Sequence, residues 1–212
     1  MLTEKYRPKK LSDFIGQEAI LAKLKTIGSR KDWSKDVFWF QGPSGIGKTT
    51  LALILAQSVA REYNIREMDG NNCTQDAVRE LERDFQYSAM GGGWKVVIVN
   101  EAHAMTRHAV QAWLNLLERL PDQRLVIFTT TEIVLKQDLF GNFTGPFASR
   151  CKVFNFRTAG LSKKFATKVR SIAIAEGLGK PTKKQAEYLI KFCRNNLRMA
   201  LQRVDALEFV QC

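Results

Sequence analysis

The sequence is poor in the residues that hold small disulfide-bonded or metal-bound domains together. Its 212 residues include four cysteines and two histidines, and no two cysteines stand in a CxxC pair. Cysteines this far apart are not typical of a disulfide scaffold or a zinc ribbon. We therefore expect a chain held together by its apolar core, working in the reducing cytoplasm and associated with the nucleoid.

Long hydrophobic runs are also missing. The longest apolar run is six residues, 51–56, and others such as 96–99 are shorter, whereas a membrane helix needs about 20. The first residues, Met1–Lys5, lack the apolar stretch of a signal peptide. We expect neither a membrane span nor a membrane partner.

The balance of charge is strongly basic. Hydrophobic residues make up 45% of the chain, which is enough for a packed core and too much for a disordered chain. Lysine and arginine number 33 against 21 acidic residues, and the net charge of +12 favours a polyanionic partner such as nucleic acid. After residue 157, eleven basic residues stand against four acidic ones. This excess indicates either a solvated lysine-rich surface or a face near DNA, and charge favours neither over the other.

Five short apolar segments have the composition of β-strands. Most are continuous rather than alternating in polarity, which is typical of a parallel sheet covered on both faces. The segments are Val37–Gln41, Arg66–Asp69, Lys95–Val99, Leu125–Thr130 and Lys152–Phe156. Helical spacing of apolar residues lies between them, whereas only helical spacing follows Phe156, as in Phe165, Val169, Ile172 and Ala173. The sequence therefore predicts an α/β domain over 1–157, with a five-stranded parallel sheet flanked by helices, and a small all-helical domain over 158–212.

A glycine-rich loop follows the first predicted strand. Residues 42–49 match the pattern GxxxxGK[ST], and an amphipathic helix comes next. Such a loop turns its amide hydrogens toward phosphates, Lys48 reaches the β- and γ-phosphates, and the Thr49 hydroxyl is a ligand of Mg²⁺. We expect ATP and Mg²⁺ as cofactors here rather than a chance glycine-rich turn. The expected nucleotide contacts are Gly42, Pro43, Ser44, Gly45, Ile46, Gly47, Lys48, Thr49 and Thr50.

The third predicted strand ends in an unusual polar pair. Asn100 stands where P-loop ATPases place the aspartate that holds Mg²⁺, and Glu101 follows it. An amide oxygen still ligates a metal but lacks the negative charge that Mg²⁺ prefers. We expect Thr49 and Asn100 at the metal and Glu101 as the base that orients water, with slow turnover. The plainer interpretation of Glu101 is a helix cap after a strand.

Several further motifs occur in one order along the chain. They are Glu4–Lys9, Leu11–Glu18, Glu67–Asn72, Glu101–His108, Ser149-Arg150-Cys151 and Asn196–Leu201. Together with the phosphate loop, they resemble the AAA+ clamp-loader ATPases, namely the bacterial gamma/tau subunit and the small subunit of replication factor C. The matches run from residue 4 to about 205. The resemblance implies an AAA+ P-loop fold with a helical lid.

The resemblance also implies roles for particular residues. The adenine and ribose would be wrapped by Tyr6, Arg7, Pro8, Ile15 and Gly16. Either Thr130 or Thr131 would sense the γ-phosphate or hold the attacking water, and Arg198 would reach the γ-phosphate from the lid. Arg150 would serve the ATP of a neighbouring subunit, as arginine fingers do in other NTPases. Each of these residues also has a plainer interpretation. The amino-terminal residues would be an arm packed on the core, and the threonines would be ordinary β-branched strand residues. Arg198 would be a surface arginine, and Arg150 would cap a helix.

The implied function is loading of a sliding clamp onto primer-template DNA by an assembly of clamp-loader subunits. Arg79, Arg83 and Arg107 are the expected contacts to DNA phosphates, although each singly fits a solvated helix surface. Four features depart from the family. Asn100 replaces the aspartate, no zinc module accompanies Cys73, the segment Lys136–Phe147 is long, and the sequence stops where the lid is expected to end, before a collar. Either a longer protein was cut there, or this is a small member that relies on a partner.

Two other functions stay open from the sequence alone. The segment Phe14–Glu18 also fits a branch-migration helicase relative, although Ser149-Arg150-Cys151 argues against it. Asn100 and the missing collar favour an AAA+ assembly partner that binds ATP but hydrolyses it weakly or not at all.

Overall fold

The structure is a computed structural model that describes residues 1–131, 147 and 149–208. Its five strands are β1 (Lys35–Gln41), β2 (Ile65–Asp69), β3 (Lys95–Asn100), β4 (Arg124–Thr130) and β5 (Lys152–Asn155). The α-helices within these residues are α1 (Leu2–Lys5), α2 (Glu18–Gly28), α3 (Lys48–Val59), α4 (Gln75–Phe85), α5 (Arg107–Glu118), α6 (Leu161–Ala175), α7 (Lys183–Phe192) and α8 (Leu197–Asp205). Short 3₁₀ turns cover Leu11–Asp13, Glu62–Asn64, Gly70–Asn72 and Ala102–Ala104.

The strands form one parallel sheet in the order β2-β3-β4-β1-β5. β1 therefore lies between β4 and β5, and the strand order reverses at this point. The reversal forms a crevice at the carboxyl end of β1. Ligands of open α/β sheets bind at such a crevice. The amide of Gly42, directly after β1, donates to the carbonyl of Thr130 at the end of β4, 3.3 Å away. The glycine-rich loop thus begins beside the last threonines of β4.

Both faces of the sheet are buried, as its continuous apolar strands predicted. Phe38 and Phe40 point to the face covered by α2 and α3, where they pack with Leu51. Trp39, between them, points to the opposite face, where α4 and α5 place Trp113. Successive side chains of a strand alternate between faces, so β1 contributes to two separate cores. The predicted five-stranded parallel sheet flanked by helices is confirmed, and the strand ends differ by one or two residues.

Side-chain caps determine where several helices begin. The Thr74 hydroxyl accepts from the amide of Ala77 before α4, and the Thr106 hydroxyl accepts from the amide of Ala109 before α5. Before α7, Thr182 and Gln185 form a reciprocal capping box. Each such cap satisfies an amide that has no helical partner and contributes about 1 kcal/mol.

Helices α6–α8 share a hydrophobic core of their own. Phe165, Val169 and Ile172 from α6 and Ile190 from α7 are buried in it. Leu2 of α1 is 5% exposed and packs into the same cluster, although it begins the chain. The amino-terminal arm, which is residues 1–17 before α2, therefore packs on α6–α8, the lid helices. The sequence did not reveal this contact between distant parts of the chain.

Of the segment Lys136–Phe147, only Phe147 belongs to the described residues, and its ring packs on Trp39 and Phe128 with centroid distances of 5.5 and 5.0 Å. In the described part of the chain, no helix is long and apolar enough to cross a membrane.

Candidate nucleotide site

The glycine-rich loop has a backbone that other residues adopt with strain. Its glycines at positions 42, 45 and 47 have φ values of 144°, 72° and 101°. A Cβ atom on Gly45 would overlap the side chain of Asn196, and one on Gly47 would lie 2.7 Å from the Phe14 ring. The loop is therefore held between the amino-terminal arm and the lid, and glycine is required for both its conformation and its packing.

Lys48 begins α3 beneath this loop. It is 6% exposed, and its Nζ donates to the carbonyls of Gly42 and Pro43, each 2.8 Å away. Burial is the main cause that lowers the pKa of Lys48 to about 8; the negative charge of Glu101 opposes this shift and the positive charge of Arg198 adds to it. A bound anion would favour the charged ammonium, because it would replace the solvation that burial removes.

The predicted metal ligands lie next to each other. The Thr49 hydroxyl donates to Asn100 Oδ1 at 3.0 Å, and the Thr129 hydroxyl donates to the same oxygen at 3.0 Å. Asn100 Nδ2 donates to Glu67 Oε2 at 3.4 Å. In this orientation of the Asn100 amide, the oxygen accepts from two hydroxyls and the nitrogen donates to a carboxylate. The reverse orientation would place Oδ1 against the carboxylate of Glu67.

The donor chemistry of this cluster fits Mg²⁺ bound together with a nucleotide. In proteins, Mg²⁺ keeps several waters and takes one or two protein oxygens besides the substrate phosphates. The hydroxyl of Thr49 and the amide oxygen of Asn100 are such oxygens. Within the described residues, no group of three His, Cys, Asp or Glu side chains could hold a metal ion without other ligands.

Three consecutive threonines at the end of β4 contact three different polar residues. Thr129 contacts Asn100, and the Thr130 hydroxyl lies 3.1 Å from His103 Nδ1. The Thr131 hydroxyl donates to Glu101 Oε2 at 3.3 Å. Thr131 thus reaches the expected base, whereas Thr129, which was not among the expected site residues, reaches the expected metal ligand.

Glu101 follows β3 in the left-handed conformation, with φ 49° and ψ 49°. This conformation costs energy for a residue with a side chain and is often found at functional sites. Gly70 packs against it, because a Cβ there would lie 2.3 Å from the carbonyl oxygen of Glu101. The Glu101 side chain is about half exposed and lines the pocket above the loop, where a base is accessible to water.

The arm and the lid complete this pocket. It is lined by several expected residues, namely Tyr6, Arg7, Pro8, Ile15, Ser44, Gly45, Ile46, Gly47, Lys48, Thr49, Thr50, Glu101 and Arg198. Expected residues that are not among the described lining residues are Gly16, Gly42, Pro43, Asn100, Thr130, Thr131 and Arg150. Of these, Gly16 lies under Leu161, and a Cβ there would overlap that side chain. The structure thus brings the arm, the loop and the lid arginine to one place.

Other lining residues were not expected. They are Thr3, Phe14, Phe165, Lys168, Ile172, Leu197 and Leu201. The helical spacing that includes Phe165 and Ile172 predicts a helix, and both side chains are buried on α6. Lys168 of α6 adds a cation to the pocket, with its Nζ 6.0 Å from the centre of the Tyr6 ring. Only its position relative to the arm, which a sequence does not show, could have indicated it.

The lid is connected to the rest of the chain by polar contacts at two points. The amide of Leu197, at the start of α8, donates to the carbonyl of Gly45 at 3.2 Å. Beyond the end of α6, Glu176 accepts from Tyr6 and forms an ion pair with Lys5 at 2.7 Å. The bond from Lys5, followed by that from Tyr6, holds the pKa of Glu176 below its usual value. Movement of the lid would therefore act on both the phosphate loop and the arm.

Arg150 lies elsewhere on the molecule. Its guanidinium donates to Glu118 at the end of α5, and its side chain is 31% exposed. It is not among the described residues that line the pocket of its own chain. The neighbouring Cys151 is partly buried, and burial raises the pKa of its thiol to about 12, so it is a poor nucleophile at neutral pH.

The arginines expected at DNA lie on exposed helix surface. Arg79 and Arg83 belong to α4, and Arg79 pairs with Asp76 at 3.2 Å. Arg107 is the first residue of α5, which packs against α4. A cation at a helix amino terminus is unfavourable by about 0.3–1 kcal/mol, so Arg107 does not serve the stability of α5.

Sequence comparisons give related chains of known name. A family model described as DNA polymerase III, delta subunit matches residues 58–160. The replication factor C small subunit of Methanosphaera stadtmanae is 29% identical over 211 residues, covering 96% of this chain and 61% of that protein. That of Archaeoglobus fulgidus is 31% identical over 209 residues, covering 95% and 62%. The chain thus spans about three fifths of the length of these curated relatives.

Structural comparison gives the fold. The chain superposes on Thermotoga maritima RuvB with a TM-score of 0.73 and 21% identity, covering 94% of this chain and 64% of that one. A second RuvB structure, titled a Holliday junction branch migration motor, gives a TM-score of 0.70 at 20% identity, covering 94% and 64%. At this identity the likeness shows the fold alone. The expected AAA+ fold is confirmed.

Proposed function

We propose that this chain binds ATP with Mg²⁺ and helps to load a sliding clamp onto primer-template DNA. It resembles AAA+ clamp-loader subunits along nearly its whole length. The replication factor C small subunits that it resembles support this proposal, although the chain spans only part of their length. The proposed place of action is the cytoplasm, at the nucleoid. The proposed functional units are residues 1–157, which bind the nucleotide, and residues 158–212, which form the lid.

The observation that carries the proposal is the composition of the pocket. Tyr6 from the arm, Lys48 from the loop and Arg198 from the lid line the same space, although they are far apart in sequence. An apolar wall beside a glycine-rich loop and two cations suits a nucleobase joined to phosphates. A chance glycine-rich turn would not need a partner arm and lid.

Each residue of the pocket has a proposed role. Lys48 would leave the loop carbonyls and bind the β- and γ-phosphates, and Arg198 would bind the γ-phosphate from the lid. Thr49 and Asn100 would hold Mg²⁺, which supplies positive charge to the phosphates when bound. Glu101 would accept a hydrogen bond from the attacking water, and Thr131 would hold the Glu101 carboxylate in place. Thr130, whose hydroxyl contacts His103, would support the pair formed by Glu101 and Thr131.

Arg150 is proposed to act in a neighbouring subunit. Its position away from its own pocket and its partial exposure support a role in another protomer's site. An arginine supplied in trans contributes about 10³–10⁵ to the rate in other NTPases. The partners are therefore further clamp-loader subunits of the same or another kind, besides the clamp and DNA. A single chain would hydrolyse ATP slowly, and Asn100 would slow it further.

The experiment measures ATP turnover against protein concentration, with and without clamp and primed DNA. We expect the rate per chain to rise steeply with concentration. The variant Arg150→Ala should lose that rise but retain ATP binding. The control is Arg119→Ala, which changes the exposed arginine that follows Glu118 in the sequence and should retain both. A rate per chain that stays the same at every protein concentration, with or without clamp and DNA, would contradict the proposal. ATP-driven strand unwinding would favour a branch-migration motor instead.

A further inference from the structure

The third strand ends in a neutral amide where a carboxylate is expected, yet a carboxylate lies directly behind that amide. Glu67 belongs to β2, the neighbouring strand, and its Oε2 accepts from Asn100 Nδ2 at 3.4 Å. On its other side, Asn100 presents Oδ1 to the Thr49 hydroxyl at 3.0 Å. The three side chains therefore form a chain from carboxylate to amide to hydroxyl.

The direction of this chain determines its electrostatic effect. A carboxylate that accepts from an amide nitrogen polarises the amide and makes its oxygen a better ligand. It also brings one negative charge to the side of the site that would face a cation. Of the other carboxylates near Asn100, Glu101 is bonded to Thr131. Asp69 lies opposite Asn100 in the register of β2 against β3, whereas the bond from Asn100 Nδ2 goes to Glu67. Glu67 is thus the carboxylate attached to Asn100.

We propose that Glu67 supplies the negative charge for Mg²⁺ in this site and acts through Asn100, so that an amide and the carboxylate bonded to it replace one aspartate. The inference rests on the proposed nucleotide binding and specifies how its metal is held. Glu67 is a positioning residue, because it acts on the metal through another side chain. Glu67 is exposed to water, so its effect should weaken with added salt.

The proposal makes opposite predictions for binding with and without metal. Without metal, the charge of Glu67 repels the phosphates of ATP. With Mg²⁺, the same charge attracts the cation that the phosphates bring. Replacing Glu67 by glutamine preserves a hydrogen-bond acceptor for Asn100 and removes only the charge. A residue that merely held Asn100 in place would weaken binding in Mg²⁺ and leave binding in chelator unchanged, so tighter binding in chelator separates the two roles.

The test is calorimetric titration with the β,γ-imido analogue of ATP, in excess Mg²⁺ and in excess chelator, at low salt. Four proteins are compared with the wild type: Glu67→Gln, Asn100→Asp, the double variant, and Glu80→Gln. Glu80 pairs with Arg66 at 3.1 Å on the neighbouring surface and serves as the matched control. Thermal unfolding checks that each variant is folded.

The quantity that decides is the ratio of the dissociation constant in chelator to that in Mg²⁺. We expect Glu67→Gln to lower this ratio about tenfold, the size typical of residues that support a metal ligand. Its binding in chelator should become tighter, not weaker. Asn100→Asp should raise the ratio, the double variant should return it close to the wild-type value, and Glu80→Gln should leave it unchanged.

Three results would overturn the inference. One is an unchanged ratio in Glu67→Gln, and another is weaker binding in Mg²⁺ with unchanged binding in chelator, which would show a structural role. The third is a wild-type ratio of one, which would leave nucleotide binding intact but remove the metal effect. If the folded wild type binds no nucleotide in either condition, the proposed function fails as well.

Discussion

The nucleotide pocket and the surface around Arg150 differ in what completes them. In the pocket, Lys48 is buried, bonded to its own loop and faced by Arg198 of the same chain. Arg150, by contrast, is partly exposed and bonded to Glu118, away from that pocket. One region can bind a ligand with the residues of a single chain, whereas the other is useful to catalysis only if a second molecule is present. Changes in the two regions should therefore separate binding from turnover.

The largest expected effect is on turnover, at Arg150. Replacing Arg150 by alanine should lower the assembly-stimulated rate about 10³-fold, because an arginine finger stabilises charge only in the transition state. ATP affinity should stay within twofold of wild type. The measurement is single-turnover hydrolysis at high protein concentration beside calorimetric ATP binding. Loss of ATP affinity in parallel with rate would place Arg150 in its own pocket and remove the contrast between the regions.

The second effect is on binding, at Lys48. Replacing Lys48 by alanine should weaken ATP binding about 100-fold, since charge-assisted bonds to phosphate contribute about 1.5–3 kcal/mol. Lys25→Ala, which changes an exposed lysine on α2, is the control and should bind as the wild type does. Equal affinity of Lys48→Ala and Lys25→Ala would show that the loop is not the phosphate site.

The third effect concerns a surface that also needs another molecule. Reversing the charges of Arg79, Arg83 and Arg107 together should weaken primer-template binding about tenfold and lower the salt slope by about 3, one phosphate for each residue. Fluorescence anisotropy at several salt concentrations measures both quantities. An unchanged slope would show that α4 and the start of α5 do not face DNA.

The fourth effect tests whether the metal limits turnover. Changing Asn100 to aspartate should raise Mg²⁺-dependent hydrolysis about tenfold, because it places a carboxylate beside Thr49. The comparison is the rate against Mg²⁺ concentration in the variant and in the wild type. If neither the rate nor the Mg²⁺ requirement changes, Asn100 is not the cause of slow turnover.

The smallest effect is a dependence of binding on pH. Below a pH of about 8, Lys48 is charged in the free protein and ATP binding should be constant. Because a phosphate raises the pKa of a bound ammonium, affinity should fall as the pH rises above about 8 and be about fourfold lower at pH 8.5. Calorimetry across this range checks the prediction, and Lys48→Ala should show no such fall. A profile that is flat to pH 9.5 would mean that the Lys48 ammonium does not contact the anion.

Local patterns were sufficient for much of this structure. The continuous apolar strands predicted the parallel sheet, and the spacing of Phe165, Val169 and Ile172 predicted the first lid helix. The positions of Gly42 to Thr49 predicted a loop between a strand and a helix, which the structure has. These features depend on residues that are close in sequence, and so a single sequence expresses them.

Contacts between distant segments could not be predicted in the same way. The bond from Asn100 to Glu67 joins residues 33 positions apart, and its existence depends on the register of β2 against β3. The position of Lys168 beside Tyr6 depends on how the arm crosses the lid. The role of Arg150 depends on a molecule outside the chain. Each therefore needs a structure or an experiment.

The central claim is that the space between the arm, the loop around Lys48 and the lid binds ATP. Calorimetric titration of ATP into the purified chain with excess Mg²⁺ tests it most directly. The account predicts saturable uptake of one nucleotide per chain, lost in Lys48→Ala and kept in Arg150→Ala. A folded chain that takes up no adenine nucleotide would contradict it.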